Sequence, residues 1–145
     1  VLNSVPESGP TPNKVVVGGG RRSDYPLHGM DTVTIDPNPL VKPDIIGRGQ
    51  KLPFQTRTMS EVNLEGLNYN LLIGSEGRKF FAEAHRVLSK RGIVHGITGS
   101  SADPNAIREA MKAVGFKNIK ISYKDTIIKS GELMKQDLIF SGVKP

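Results

Sequence analysis

The stretch that decides the fold is Lys14-Val-Val-Val-Gly-Gly-Gly20, followed at once by Arg21-Arg22. Three β-branched residues in a row suit a strand buried on both faces, as strands of a parallel sheet are. The glycines behind them allow a tight turn and a close approach of backbone to ligand. In open parallel sheets ligands gather at the carboxyl ends of the strands. This turn is therefore expected to open a phosphate- or nucleotide-facing crevice.

Working outward, further short apolar runs stop at turn residues. Thr32 to Ile35 ends at Asp36-Pro37, Asp44 to Ile46 at Gly47, and Tyr69 to Ile73 at Gly74. Each reads as a strand. Two helices are marked by their periodicity. From Arg78 to Lys90, Phe81, Ala84 and Leu88 line one face beside Phe80 and Val87, Lys90-Arg91 suits the negative end of the dipole, and Gly92 stands where a left-handed cap is wanted. Asp103-Pro104 offers an N-cap and a first-turn proline, after which Ile107, Met111 and Val114 form a stripe ending at Gly115. Gly92 to Thr98, Lys117 to Tyr123 and Gln136 to Val143 complete the strands, with residues 124–135 as a long hairpin connection of partial strand character. Residues 1–13, with Pro6, Gly9, Pro10 and Pro12, read as an extended linker to a single domain over residues 14–145.

The 145 residues suffice for one core. No apolar run is long enough to span a bilayer. With no cysteine, disulfides, thiolate zinc sites and cysteine nucleophiles are all excluded, and the three histidines lie too far apart in sequence to suggest a metal site. The net charge of +6 implies attraction to polyanions.

In this order the segments resemble a class I S-adenosylmethionine-dependent methyltransferase domain over nearly everything after Asn13. Tyr69-Asn-Leu-Leu-Ile73 looks like that family's fourth strand. Phe80-Phe-Ala-Glu-Ala-His-Arg-Val-Leu-Ser-Lys-Arg-Gly92 with Ile93-Val-His-Gly-Ile97 is similar to its helix-turn-strand signature, Asp44 to Phe54 to the end of its third strand, and Ala113 to Ile119 to the start of an antiparallel sixth strand. The resemblance implies an α/β fold: a reduced, mostly parallel Rossmann-like sheet with an antiparallel C-terminal hairpin. Asp36 matches the family's ribose-binding acid. Val17 stands where the family has an acid before its glycines, and Arg48 where it has the adenine-side acid, with Lys51 close behind. Pro26 and Gly29 argue against the long helix that usually follows the first loop.

Arginines suit phosphates better than a sulfonium cation. S-adenosylmethionine is on this reading not the ligand, and no cofactor is expected. The strand-end loops offer Arg21, Asp24, His28, Asp36 and Glu76 for acid-base work and charge stabilisation. Gly18, Gly19, Gly20, Arg22, Arg48, Lys51, Thr98 and Ser100 are there to hold RNA phosphates. That set suits metal-independent transesterification of RNA. Structural roles compete at each position: Asp36 could cap the turn at Pro37, Glu76 could complement a helix dipole, and His28 could be solvated. His85 and His95 are read as structural.

The methyltransferase-like frame, basic charge and Pro/Gly linker also resemble the C-terminal toxin domains of bacterial contact-dependent growth inhibition proteins. That resemblance implies export as the last part of a large surface protein, and cleavage of RNA, transfer RNA foremost, in the target-cell cytoplasm. It also implies a cognate immunity protein and, for some such toxins, a target-cell protein cofactor. The alternatives carried beside this ribonuclease expectation are a S-adenosylmethionine-dependent methyltransferase and a non-catalytic RNA- or protein-binding module.

Overall fold

The computed structural model describes residues 13–18, 32–65, 67–99, 101–127 and 134–145. Among them, seven strands form one sheet: β1 (Lys14–Val17), β2 (Thr32–Asp36), β3 (Ile45–Ile46), β4 (Met59–Leu64), β5 (Leu88–Gly99), β6 (Lys117–Ile127) and β7 (Met134–Val143). Their order across the sheet is β3-β2-β1-β4-β5-β7-β6. The first five pair in parallel. β7 lies antiparallel between β5 and β6. The expected class of fold, a mostly parallel sheet with an antiparallel C-terminal hairpin, is what the chain adopts.

The helices α1 (Tyr69–Ile73), α2 (Ser75–Val87) and α3 (Pro104–Ala113) contribute to one apolar core. Alternation along the strands creates it. Val15 and Val17 of β1, Val33 and Ile35 of β2, and Val62 and Leu64 of β4 belong to the core, while Val16, Thr34 and Asn63 between them face the other side of the sheet. On α2, Phe80, Phe81, Ala84 and Val87 are buried at helical spacing. The Phe81 ring meets Phe140 of β7 edge to face at 5.8 Å. Burying a side chain of that size contributes about 1.5–3 kcal/mol.

Several local expectations are met. Asp103 caps α3 by accepting from the Asn105 N–H at 2.9 Å, Pro104 opens the helix, and Gly115 takes φ +104 just beyond its end. The strands at residues 14–17, 32–36, 117–127 and 134–143 enclose or overlap the runs read as strands.

Others are corrected. Tyr69 to Ile73 is helix, not the fourth strand. Asn68 caps it by accepting from the Asn70 N–H at 2.8 Å, and a five-residue apolar run carries no period that separates strand from buried helix turn. The fourth strand is Met59–Leu64, ten residues earlier. α2 starts at Ser75 and passes straight into β5 at Leu88, so Lys90-Arg91 lies in a strand; the left-handed residue there is Arg91 (φ 70), not Gly92. The strand that opposes the parallel set is β7, not the one beginning near Ile119. Residues 1–12 of the expected linker, and residues 19–31 with the question of a helix after the first glycine turn, lie outside the described residues.

β6 forms one edge of the sheet, with Lys117, Lys120 and Lys124 exposed along it. Lysines on an edge strand oppose pairing with another sheet. Among the described residues no helix is long and apolar enough to cross a membrane.

Candidate functional site

The carboxyl ends of β2, β1 and β4 meet at one level. Val17 is the register partner of both Ile35 and Leu64. The next residues along, Asp36, Gly18 and Glu65, therefore form the following rung, with Gly18 in the middle. Two hydrogen bonds continue the ladder onto that rung: Gly18 N–H donates to the Ile35 carbonyl at 3.0 Å, and Glu65 N–H to the Val17 carbonyl at 2.7 Å. Gly18 has φ +91, and a Cβ built on it would lie 2.0 Å from the Glu65 carbonyl oxygen. Only glycine fits, and it leaves the centre of the rung without a side chain.

Both flanking residues are acids with little exposure: Asp36 is 8% exposed and Glu65 5%. Asp36 Oδ1 accepts from the Asn38 N–H at 2.8 Å, which fixes the carboxylate at the strand end. The turn-capping role weighed for Asp36 is thus real. Its backbone carbonyl accepts from Gly47 N–H at 3.1 Å, bringing the loop after β3 alongside. Glu65 Oε1 accepts from Asn63 Nδ2 at 2.6 Å. Asn63 is fully buried, and its Oδ1 has no hydrogen-bond partner. Sequence reasoning passed over Asn63 and Glu65 because Met59–Leu64 was not read as a strand. The usable signal was the alternation of Val62 and Leu64 with Glu61 and Asn63.

The loop after β3 closes through an isolated antiparallel bridge between Arg48 and Lys51, both exposed. Behind it, Leu52 N–H donates to Glu83 Oε1 at 2.8 Å, and Arg86 of α2 donates to the carbonyls of Leu52 and Phe54 at 3.0 and 2.9 Å. This clamp holds the loop against α2. Gln50 Nε2 donates to Glu76 Oε2 at 3.3 Å, and Lys79 Nζ pairs with Glu76 Oε1 at 3.1 Å. Lys79, with smaller help from Gln50 and Arg48, holds the Glu76 carboxyl below its ordinary 4.5. Glu76 lies in the first turn of α2, where a carboxylate complements the helix dipole, the structural role weighed for it.

Thr98 is buried, and its hydroxyl donates to the Leu67 carbonyl at 3.3 Å, tying β5 to the segment before α1. Gly18, Asp36, Arg48, Lys51 and Glu76 do gather at the carboxyl edge as expected. Gly19, Gly20, Arg21, Arg22, Asp24, His28 and Ser100 lie outside the described residues. His95 is the register partner of Asn63 and lies 3.6 Å from Glu61 Oε2; His85 meets Phe116 edge to face at 5.0 Å. Among the described residues no group of three or more His, Cys, Asp or Glu side chains is placed to hold a metal ion.

No protein-family model matches the chain, and no curated protein matches it. Solved structures do match its fold. A S-adenosylmethionine-dependent methyltransferase from Archaeoglobus fulgidus superposes with a TM-score of 0.73 at 10% identity, over 92% of this chain and 86% of that one. One from Thermotoga maritima gives 0.68 at 14% identity, over 94% and 83%. A Haloferax volcanii protein solved in complex with the Trm112 methyltransferase activator gives 0.70 at 15%, over 97% and 85%. The fold is that of the class I methyltransferases.

These likenesses overturn the main functional expectation. The proteins that share this frame are S-adenosylmethionine-dependent methyltransferases. They favour the methyltransferase alternative over a transfer-RNA-cleaving toxin, and they conflict with the expectation of no cofactor. Arg48 and Lys51 are both exposed on a surface loop, whereas the acids Asp36 and Glu65 occupy the buried rung itself.

The middle of the rung is a glycine without a side chain, and its flanks are carboxylates, one of them beside an unpartnered buried amide oxygen.

Proposed function

We propose that this domain binds S-adenosylmethionine across the ends of β2, β1 and β4 and is a S-adenosylmethionine-dependent methyltransferase. The observation that carries the reading is the Asp36-Gly18-Glu65 rung at the carboxyl edge of a methyltransferase-type sheet. When bound, the cofactor supplies an electrophilic methyl group on a sulfonium sulfur.

The chain's own part is binding and orientation. The Asp36 carboxylate, pinned through Asn38 N–H, accepts hydrogen bonds from the vicinal hydroxyls of a ribose. Gly18 lets the nucleoside approach the backbone. The loop at residues 48–51, held by the Glu83-Arg86 clamp, borders the same edge, and the planar guanidinium of Arg48 can lie against an aromatic base. The net charge of +6 favours an anionic methyl acceptor.

Isothermal titration calorimetry of the whole chain with S-adenosylmethionine and S-adenosylhomocysteine tests the reading. Saturable one-to-one binding of both is expected. No heat at millimolar ligand would overturn it.

A further inference from the structure

We infer that the cleft between the end of α3 and the start of β6 binds a phosphate group, at the opposite end of the sheet from the Asp36-Gly18-Glu65 rung. The inference stands independently of the proposed function. Lys117 pairs with Val143, and Val143 with Ile93 of β5, so the cleft lies at the amino-terminal ends of the parallel strands. Six register steps, about 20 Å of strand, separate Ile93 from Gly99 at the carboxyl end of β5.

The cleft has a volume of about 290 Å³ and is bordered by Arg108, Lys112, Phe116, Lys117, Asn118 and Ile119. Phe116 is buried, and every charged side chain on the border is a cation. Arg108 and Lys112 lie one helical turn apart on α3, a spacing at which like charges repel. Lys117 adds a third positive charge from the strand. Arg108 is half-buried, and its Nη1 donates to the Ile119 carbonyl at 3.2 Å. Its remaining N–H groups have no carboxylate partner among the described residues, and Lys112 has only an exposed pair with Glu109 at 3.9 Å. These cations are not needed to close the helix. Gly115 N–H donates to the Lys112 carbonyl at 3.0 Å and Phe116 N–H to the Met111 carbonyl at 3.2 Å, so backbone groups complete the end of α3.

The backbone of β6 departs from regularity to make this border. Lys117 pairs with Val143 and Lys120 with Ser141, three steps on one strand against two on the other, which is a β-bulge. Within it Asn118 takes φ 49, a left-handed conformation uncommon outside glycine. Regular alternation would send Lys117 and Asn118 to opposite faces; the bulge brings both, with Ile119, onto one cleft. A guanidinium pinned through one nitrogen keeps other N–H groups for two oxygens of one phosphate, and two ammonium groups match its further charge and oxygens. A carboxylate, with one charge and two oxygens, leaves more of the three cations unmatched.

Calorimetry of the whole chain with inorganic phosphate at constant ionic strength, on wild type, R108Q, K117Q and K124Q, tests this. Saturable binding to wild type is expected. R108Q is expected to weaken it about tenfold or more and K117Q about two- to fivefold. K124Q, at an exposed lysine farther along the same strand, should change it less than about twofold. Lys117 is exposed, so K117Q keeps the test decisive if R108Q fails to fold. Phosphate that never saturates wild type would overturn the inference, as would unchanged affinity in K117Q. Equal loss in K124Q would show diffuse attraction to net charge and overturn it too. A short oligonucleotide as second probe separates the sources of the phosphate. Competition with inorganic phosphate that weakens in K117Q upholds the site for a nucleic-acid backbone; phosphate binding without competition upholds it for a free or monoester phosphate. Failure of S-adenosylmethionine to bind would overturn the proposed function and leave this site standing.

Discussion

A Cβ on Gly18 would stand 2.0 Å from the carbonyl oxygen of Glu65, so the end of β1 approaches the end of β4 more closely than any side chain permits. The φ of +91 adds a second reason for glycine. G18A is expected to lower stability by about 2–4 kcal/mol, combining overpacking with a left-handed alanine. Urea unfolding measures it. A loss below about 0.5 kcal/mol would mean that the two strand ends separate freely.

Asp36 and Thr98 lie at the same edge of the sheet but differ in what occupies their polar atoms. D36N can keep the acceptor for the Asn38 N–H, so it should change stability by less than about 1 kcal/mol and weaken every adenosyl ligand by about tenfold or more. T98V removes only the donor to Leu67 O, and should cost about 1 kcal/mol with ligand affinity unchanged. Paired melts and titrations separate the two.

Arg86 carries the loop after β3 on its guanidinium. R86A strands the carbonyls of Leu52 and Phe54 and should cost about 2 kcal/mol. Burial pushes the Glu83 carboxyl up, but the Arg86 bond and Leu52 N–H more than offset this and hold it below 4.5. A folded value below the unfolded one stabilises fully above about 4.5, and that contribution is lost as pH falls through the folded value. E83Q should therefore be less stable than wild type at pH 7 and equal to it near pH 2. Denaturation at both values decides.

His95 and His85 are both lowered from 6.5, chiefly by burial; Glu61 pulls His95 back up, and Lys144 pushes His85 further down. The unfolded chain then binds more protons than the folded one just below 6.5. Stability should be greatest above that value and decline as pH falls through it toward the folded values. H95Q should make the curve between pH 7 and 5 flatter. A flat wild-type profile over that range would contradict the assignment.

Wherever short-range chemistry was enough, the sequence was legible. Asp103-Pro104 names a helix start because the cap, the ring and the following stripe act within a few residues. The run Val15 to Val17 names a buried strand, and Asp36 is found at a strand end, for the same reason. The choice between Met59–Leu64 and Tyr69–Ile73 as the fourth strand was not local: both are short, and pairing with β1 and β5 selects one. Glu65 joins Asp36 only because parallel register brings residues almost thirty apart onto one rung. Sequence alone thus determined the frame and one acid at the strand ends. Tertiary structure decided the second acid, Glu65, because register is a property of paired strands and no single strand carries it.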